Sequence, residues 1–291
     1  MAVETLKKLR RRIRSIRNTM QITRAMEMVS AAKLRRVQNS LLSAKPYFSK
    51  IKEFLINLAH SDKALQHKCF QIRSEGPILL VLITADRGLC GSFNTNLIHT
   101  AKEFIKSKSP TPIQIFCIGR KGFDYFKKQD IEIVGSVTNL GGKLDLMRIQ
   151  EAGKLIFENF FIANVREIYL IFTHYVSAMG NKPIIELFLP LDPNIFKIDE
   201  REKKQRVDYI LEPTSEIVFE SLIPKYLQSK IYITLAESFT SEYSARMITM
   251  RNATKNCEEL VDTLTLKMNK ARQSTITREL IDIVGGAESL R

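Results

Sequence analysis

The sequence has almost no glycine outside its middle. Ten of its twelve glycines lie between Gly76 and Gly180, and the other two are Gly285 and Gly286. The first 75 residues and residues 181–284 therefore contain none. Because glycine marks turns and weakens helix interiors, two glycine-free arms around a glycine-containing middle predict a long helix, a compact domain and a second long helix.

Long hydrophobic runs are also missing. The longest purely aliphatic run covers residues 78–83, far short of the ~20 residues that cross a bilayer. The basic N-terminus is not followed by an apolar stretch, which argues against a signal peptide. Its heptad pattern continues past Leu41, so we interpret the arginine-rich start as mature structure rather than as a transit peptide.

Paired cysteines are absent too. The four cysteines contain no CxxC motif, which favours free thiols in a reducing compartment. His60, His67 and Cys69 lie close enough in sequence to suggest a metal site, but no fourth candidate ligand accompanies them. We interpret them as surface residues, and we expect neither a metal nor a cofactor.

Positive charge is concentrated in the first arm. The chain carries a net charge of +14, and residues 1–58 hold fourteen Lys and Arg against three Glu. Such an arm needs an acidic partner: nucleic acid, anionic lipid or an acidic protein surface. The basic residues do not alternate with aromatic ones as base-stacking surfaces require, so we expect no nucleic-acid binding.

Both arms carry a 3.5-residue apolar repeat, which we call the seam. In the first arm its positions are Leu6, Leu9, Ile13, Ile16, Met20, Thr23, Glu27, Ser30, Leu34, Val37, Leu41, Ala44, Phe48, Ile51, Leu55 and Leu58. In the last arm they are Leu222, Tyr226, Ser229, Ile233, Ala236, Thr240, Tyr243, Met247, Met250, Thr254, Cys257, Val261, Leu264, Met268, Ala271 and Thr275. This repeat is typical of a coiled coil.

The two seams match in length, so they can bury each other if the helices run antiparallel. Pairing with a second copy of the chain is the alternative. Pro46 predicts a bend in the first helix, and Pro224 predicts a helix start or a kink in the last arm. Gly285 and Gly286 are expected to end that arm.

Short β-rich runs alternate with helical patterns between the arms. The predicted strands cover residues 78–84, 113–118, 131–134, 168–173 and 184–189, with helices over 94–106, 121–129 and 144–163. This alternation predicts a mostly parallel sheet with helices on its faces. The fold class is therefore a mixed α+β and α/β chain: a long antiparallel coiled coil of N- and C-terminal helices plus a Rossmann-like α/β domain. The predicted domains are 1–58, 76–190 and 209–286.

No segment of the middle domain matches a complete catalytic motif. The loop over residues 84–94 lacks GxGxxG, so we favour a structural turn over a nucleotide site. In it, Asp86 and Arg87 could pair with each other. Gly141-Gly142-Lys143 is followed by Leu144 where a P-loop needs Ser or Thr. The chain is expected to be non-catalytic.

Three segments carry a resemblance to a known family. Residues 22–33 (ITRAMEMVSAAK), 84–91 (TADRGLCG), and 270–273 with 276–287 (KARQ, ITRELIDIVGGA) are similar to segments of the gamma subunit of F-type ATP synthases. The resemblance implies a non-catalytic central rotor shaft that couples proton-driven rotation of the c-ring to ATP synthesis on the beta subunits. The implied partners are the alpha, beta and epsilon subunits and the c-ring.

The same resemblance implies contact residues. Met26, Arg246, Gln273, Thr277 and Glu279 match positions that face the ring of alpha and beta subunits. Tyr209 and Glu212 belong to a segment, YILEP, similar to the one at the c-ring, although Leu211 stands where an aromatic residue is common. The chloroplast regulatory insertion is not apparent, which favours a bacterial protein over a mitochondrial one. It would then be peripheral, on the cytoplasmic face of the plasma membrane, and held there through the complex.

Overall fold

A computed structural model describes residues 6–58, 67–162, 165–177, 180–193, 212 and 214–288. Two long helices enclose a five-stranded α/β region along the chain: α1 spans Leu6–Leu58 and α5 spans Ser215–Glu288. Contacts divide the chain into two compact units. We call residues 1–30 with 246–291 the helical unit, and residues 31–245 the central unit.

The helical unit is an antiparallel pair of helices. Leu9 and Ile13 of α1 form one buried cluster with Leu264 of α5. Further along α1, the Thr23 hydroxyl lies 2.8 Å from that of Thr254. Because the partner numbers fall as the α1 numbers rise, the two helices run in opposite directions. The predicted pairing of the two arms with each other is confirmed here.

Burial follows the predicted seam closely. All sixteen seam positions of α1 are buried or half-buried, and in α5 only Thr275 is exposed. A seam of this period is what keeps one face of each helix turned toward the other. The fold class predicted from the sequence is confirmed.

The predicted helix start at Pro224 and the predicted helix end at Gly285 and Gly286 are wrong. The helix runs through Pro224 without a separate short helix before it, and it continues through Gly285 and Gly286 to Glu288. The kink, which was the alternative at Pro224, stays a prediction. Proline removes one backbone hydrogen bond, but the buried neighbours Ile223 and Leu227 hold the surrounding turns in place. Glycine weakens a helix by about 1 kcal/mol without forbidding it. The first helix continues through Pro46, and the bend predicted there stays a prediction.

The central unit contains the sheet. Its strands are β1 (Ile78–Ile83), β2 (Ile113–Ile118), β3 (Glu132–Val137), β4 (Glu167–His174) and β5 (Lys182–Leu189), in the order β3-β2-β1-β4-β5. Only β5 runs antiparallel to its neighbour among these described strands. All six residues of β1 are buried, as expected for a strand covered on both faces. The sheet is mostly parallel, as predicted.

Three helices connect the strands: α2 (Phe93–Ser107), α3 (Arg120–Phe126) and α4 (Leu146–Phe161). Leu97 and Phe104 of α2 and Phe126 of α3 pack in one core with the β1 side chains. Every predicted strand and helix of this region is present, with bounds within a few residues of those expected.

The central unit also contains paired segments of the long helices. Leu41 of α1 packs with Ile233 and Ala236 of α5, and the rings of Phe48 and Tyr226 stack with centroids 5.4 Å apart. Contacts therefore group these helical segments with the sheet, whereas the predicted domains 1–58, 76–190 and 209–286 follow secondary structure. That division stays a prediction. Among the described helices, none is long and apolar enough to cross a membrane.

Candidate interaction surfaces

Cys69, Cys90 and Cys117 are buried in the core, so the prediction that Cys69 is a surface residue is wrong, whereas Cys257 and His67 are only half-buried. Cys69 is fully buried, and its backbone N–H donates to Nδ1 of His67 over 3.2 Å. Burial raises the pKa of the Cys69 and Cys117 thiols to about 12 and lowers that of His67 below its usual value. Within the described ranges no cluster of metal-ligating side chains occurs; His60 lies outside them.

The loop after β1 is organised by one carboxylate. Oδ1 of Asp86 accepts hydrogen bonds from the backbone N–H groups of Arg120 (3.1 Å) and Asn139 (2.8 Å), and Oδ2 accepts one from Gly141 (2.8 Å). These donors follow β2 and β3, so Asp86 ties together three loops at the carboxyl edge of the sheet. Phosphate would need those same N–H groups and would be repelled by the carboxylate. The geometry supports the structural turn.

The Gly141-Gly142-Lys143 segment makes room for a tyrosine rather than for a phosphate. Both glycines adopt a positive φ, +59° and +68°. Tyr243 of α5 donates its hydroxyl to the Gly141 carbonyl over 2.5 Å, and a Cβ on Gly142 would lie 2.1 Å from that hydroxyl. Lys33 of α1 donates to the same hydroxyl over 3.4 Å. We call this cluster the Tyr243 contact; it links both long helices to the sheet within the central unit.

The outer face of the helical unit is strongly basic. Between residues 7 and 24, α1 carries eight Lys and Arg and no acid, and all eight side chains are exposed. Nearby, Glu27 accepts a 2.8 Å hydrogen bond from Arg251 of α5. Since the seam faces α5, this basic face points away from the seam, and an acidic surface outside the chain would complement its charge.

The last part of α5 presents apolar side chains to solvent. Ile13 packs with Leu264, and at this antiparallel register Leu6 lies level with about residue 271. Residues 272–288 therefore extend past the first described residue of α1; we call them the end segment. Its five large apolar side chains are 49–68% exposed: Ile276, Leu280, Ile281, Ile283 and Val284. An exposed patch of this kind marks an interaction site.

The residues singled out by resemblance fall into different environments. Gln273, Thr277 and Glu279 lie exposed on the end segment. Met26 is half-buried, and Arg246 is only 7% exposed. Glu212 is exposed, and Tyr209 lies outside the described residues. Their contact roles stay predictions. Sequence reasoning missed the apolar residues of the end segment, although their i, i+4 spacing at 276, 280 and 284 was visible.

The family model and the curated relatives that match this chain belong to one family. A family model described as ATP synthase matches residues 5–290. The chain is 42% identical to the ATP synthase gamma chain of Syntrophobacter fumaroxidans over 291 residues, covering 99% of both chains. It is 38% identical to that of Pelotomaculum thermopropionicum, covering 98% of this chain and 99% of the relative.

Solved structures agree on the fold. A chain from the Euglena gracilis mitochondrial ATP synthase, a structure of OSCP, F1 and c-ring, superimposes with a TM-score of 0.68 at 20% identity, covering 98% of this chain and 94% of that one. A chain from the central stalk and c-ring of the Tetrahymena thermophila mitochondrial enzyme gives 0.61 at 24% identity, covering 80% and 99%. On the strength of the near-full-length match to its relatives, the chain belongs to the ATP synthase gamma chain family.

Proposed function

We propose that this chain is the central rotor stalk subunit of an F-type ATP synthase, coupling proton-driven rotation of the c-ring to ATP synthesis on the beta subunits. The observation that carries the proposal is the match to gamma chains over nearly the whole length. In this role the chain is itself non-catalytic. The Asp86 loop and the Gly141-Gly142 turn, its nearest approaches to nucleotide motifs, are occupied by the protein's own groups.

The helical unit suits the transmission of torque. Two helices sharing a buried seam resist bending and twisting more than one helix does. Each seam side chain sits in a gap between side chains of the partner helix and must leave that gap before the helices can slide. The seam polar groups fix the register further, since Thr23 faces Thr254 and Glu27 pairs with Arg251. A slip of one heptad position would separate both pairs.

The outer surface of the helical unit suits a surrounding housing. Eight exposed cations on α1 would attract the acidic loops of beta subunits, and attraction over several Å does not demand one fixed angle. Alternating alpha and beta subunits would enclose the end segment, with Gln273, Thr277 and Glu279 in contact with them. Met26 and Arg246 would contact the same ring.

The other partners follow from the same proposal. The α/β domain would contact the epsilon subunit, and the 209–213 segment with Tyr209 and Glu212 would contact the c-ring. The complex would hold the chain on the cytoplasmic face of a bacterial plasma membrane, as a peripheral subunit. The two relatives named above are both bacterial.

Reconstitution tests the proposal. Purified chain mixed with alpha and beta subunits should form a complex that hydrolyses ATP faster than any component or pair of components. The matched comparison is the chain with Ile276→Glu and Leu280→Glu, which places two charges on the end segment and leaves the seam unchanged. This variant should bind the alpha and beta subunits more weakly. If the unsubstituted chain forms no complex at micromolar concentration, the rotor assignment fails.

A second experiment addresses Met26. Met26→Lys adds a cation at a half-buried position of the helical unit and should lower ATP synthesis per proton transported more than it lowers the melting temperature of the chain. Met26→Leu keeps the volume and polarity and serves as the control. Equal losses of stability and coupling would show that Met26 is only a packing residue.

A further inference from the structure

Three helices of the central unit enclose a groove. Its walls come from α1 near Tyr47, α4 near Phe157, and α5 near Pro224, and its volume is about 1190 Å³. Beside the groove, α4 and α5 pack closely: a Cβ on Gly153 would clash with the side chain of Gln228, which lines the groove.

The groove walls are apolar yet face solvent. Tyr47, Leu146 and Ile162 line the groove and are 57%, 61% and 76% exposed. Side chains of this size are normally covered when they cluster on one surface. A partner that covers this apolar lining would therefore lower the free energy of the complex by removing the lining from water.

The rim of the groove is positively charged. Arg36 and Lys225 both line it, and within the described part of the chain neither has a carboxylate at ion-pair distance. The other two charged lining residues, Lys154 and Glu158, lie 3.8 Å apart and offset each other. A partner that brings carboxylates to Arg36 and Lys225 would complement the rim.

Shape narrows the choice of occupant. Pockets for small molecules measure about 300–1,000 Å³, and this groove is larger and open to solvent. A helix is about 10–12 Å wide with its side chains, and an amphipathic one lays its apolar face into such a groove. We propose that the groove docks an amphipathic helix with acidic flanks, supplied by a partner subunit of the assembled enzyme. This inference rests on the proposed function.

Photocrosslinking in the assembled enzyme tests it. The photoreactive residue p-benzoylphenylalanine is placed at Leu146 or Ile162 in the groove, and at Ile72, which is 87% exposed and does not line the groove, as the control. Irradiation should crosslink both groove positions, but not the control, to one helical segment of a partner subunit. Mass spectrometry of the crosslinked peptide should find Asp or Glu flanking its apolar face.

Charge reversal at the rim of the groove provides a second experiment. Arg36→Glu with Lys225→Glu should lower the crosslink yield about tenfold, because two attractions become repulsions. The control reverses Lys102 and Lys106, exposed cations of α2 that do not line the groove, and should leave the yield unchanged.

The outcomes separate this inference from the proposed function. An enzyme that assembles and hydrolyses ATP but shows no groove crosslink overturns the docking site alone. A crosslink to lipid, to a strand, or to a helix without acidic residues overturns it as well, as does a yield indifferent to charge reversal. Failure of the chain to assemble with alpha and beta subunits removes the proposed function and the docking site together.

Discussion

Replacing Asp86 should loosen the carboxyl edge of the sheet. Its carboxylate accepts three backbone hydrogen bonds from Arg120, Asn139 and Gly141 at 2.8–3.1 Å. These donors belong to segments 34 to 55 residues further along the chain. One side chain therefore holds three loops together.

The size of the effect follows from the bonds lost. A hydrogen bond to a charged group contributes about 1.5–3 kcal/mol when buried, and a typical net value is about 0.5–1.5 kcal/mol. Because Asp86 is half-exposed, water can replace part of each bond, so we use the lower range. Asp86→Ala should lower the free energy of unfolding by about 2–4 kcal/mol. Asp86→Asn keeps one acceptor oxygen and should cost about 1–2 kcal/mol.

Urea unfolding followed by circular dichroism measures the global change, and amide hydrogen exchange locates it. Exchange should accelerate most at the N–H groups of Asn139 and Gly141, which lose their acceptor. Asp130, an exposed acid on the same unit, provides the control: Asp130→Ala and Asp130→Asn change the charge identically without touching the loops.

One result would refute the reasoning. If Asp86→Ala and Asp130→Ala shift the unfolding midpoint equally, and exchange at Asn139 and Gly141 stays slow, the carboxylate does not hold the loops. The hydrogen bonds would then be a consequence of loop conformation rather than its cause.

Three further predictions concern other parts of the chain. Leu264→Ala should lower the unfolding free energy by about 2–4 kcal/mol, because its side chain is only 6% exposed in the seam; an unchanged melting temperature would contradict the observed packing. Gly142→Ala should destabilise the chain because the new Cβ meets the Tyr243 hydroxyl, and the double variant with Tyr243→Ala should lose less than the sum of the two single losses; additive losses would place the cause in the positive φ alone. Cys69 and Cys117, with pKa values of about 12, should stay unreactive to a thiol reagent at pH 8 until the chain unfolds. Stability should fall above about pH 9, where unfolded thiols ionise and buried ones stay protonated; rapid labelling of the native thiols would contradict their burial.

The sequence predicted the repeating parts of the fold well. A 3.5-residue repeat sustained over seven heptads places a stripe of mostly apolar side chains along one face, and only burial of that stripe makes such a helix stable. The aliphatic run at 78–83 similarly needs cover on both faces, and β1 is buried throughout. In both cases the sequence pattern by itself indicates which side chains must be buried.

Local sequence signals such as proline and glycine were less reliable where packing between residues far apart in sequence determines the structure. Pro224 and Gly285 weaken a helix by their own chemistry, yet α5 continues through both. The Tyr243 contact joins positions 102 residues apart, and the groove combines side chains from α1, α4 and α5. No spacing in the sequence indicates such contacts, so sequence reasoning rejected a P-loop at Gly141-Gly142 without finding the tyrosine that packs there.

The exposed end segment offers an attraction that is strong but depends little on direction. Its five apolar side chains are each about half to two-thirds exposed, and covering them would contribute on the order of 5 kcal/mol at about 1 kcal/mol each. Hydrophobic attraction depends on the area removed from water and not on the alignment of donor and acceptor. A housing that covers Ile276 and Leu280 would therefore retain much of its attraction as the helix turns inside it, whereas a ring of hydrogen bonds would favour a few angles. For the proposed rotor, the apolar composition of this segment is what allows tight enclosure and rotation together.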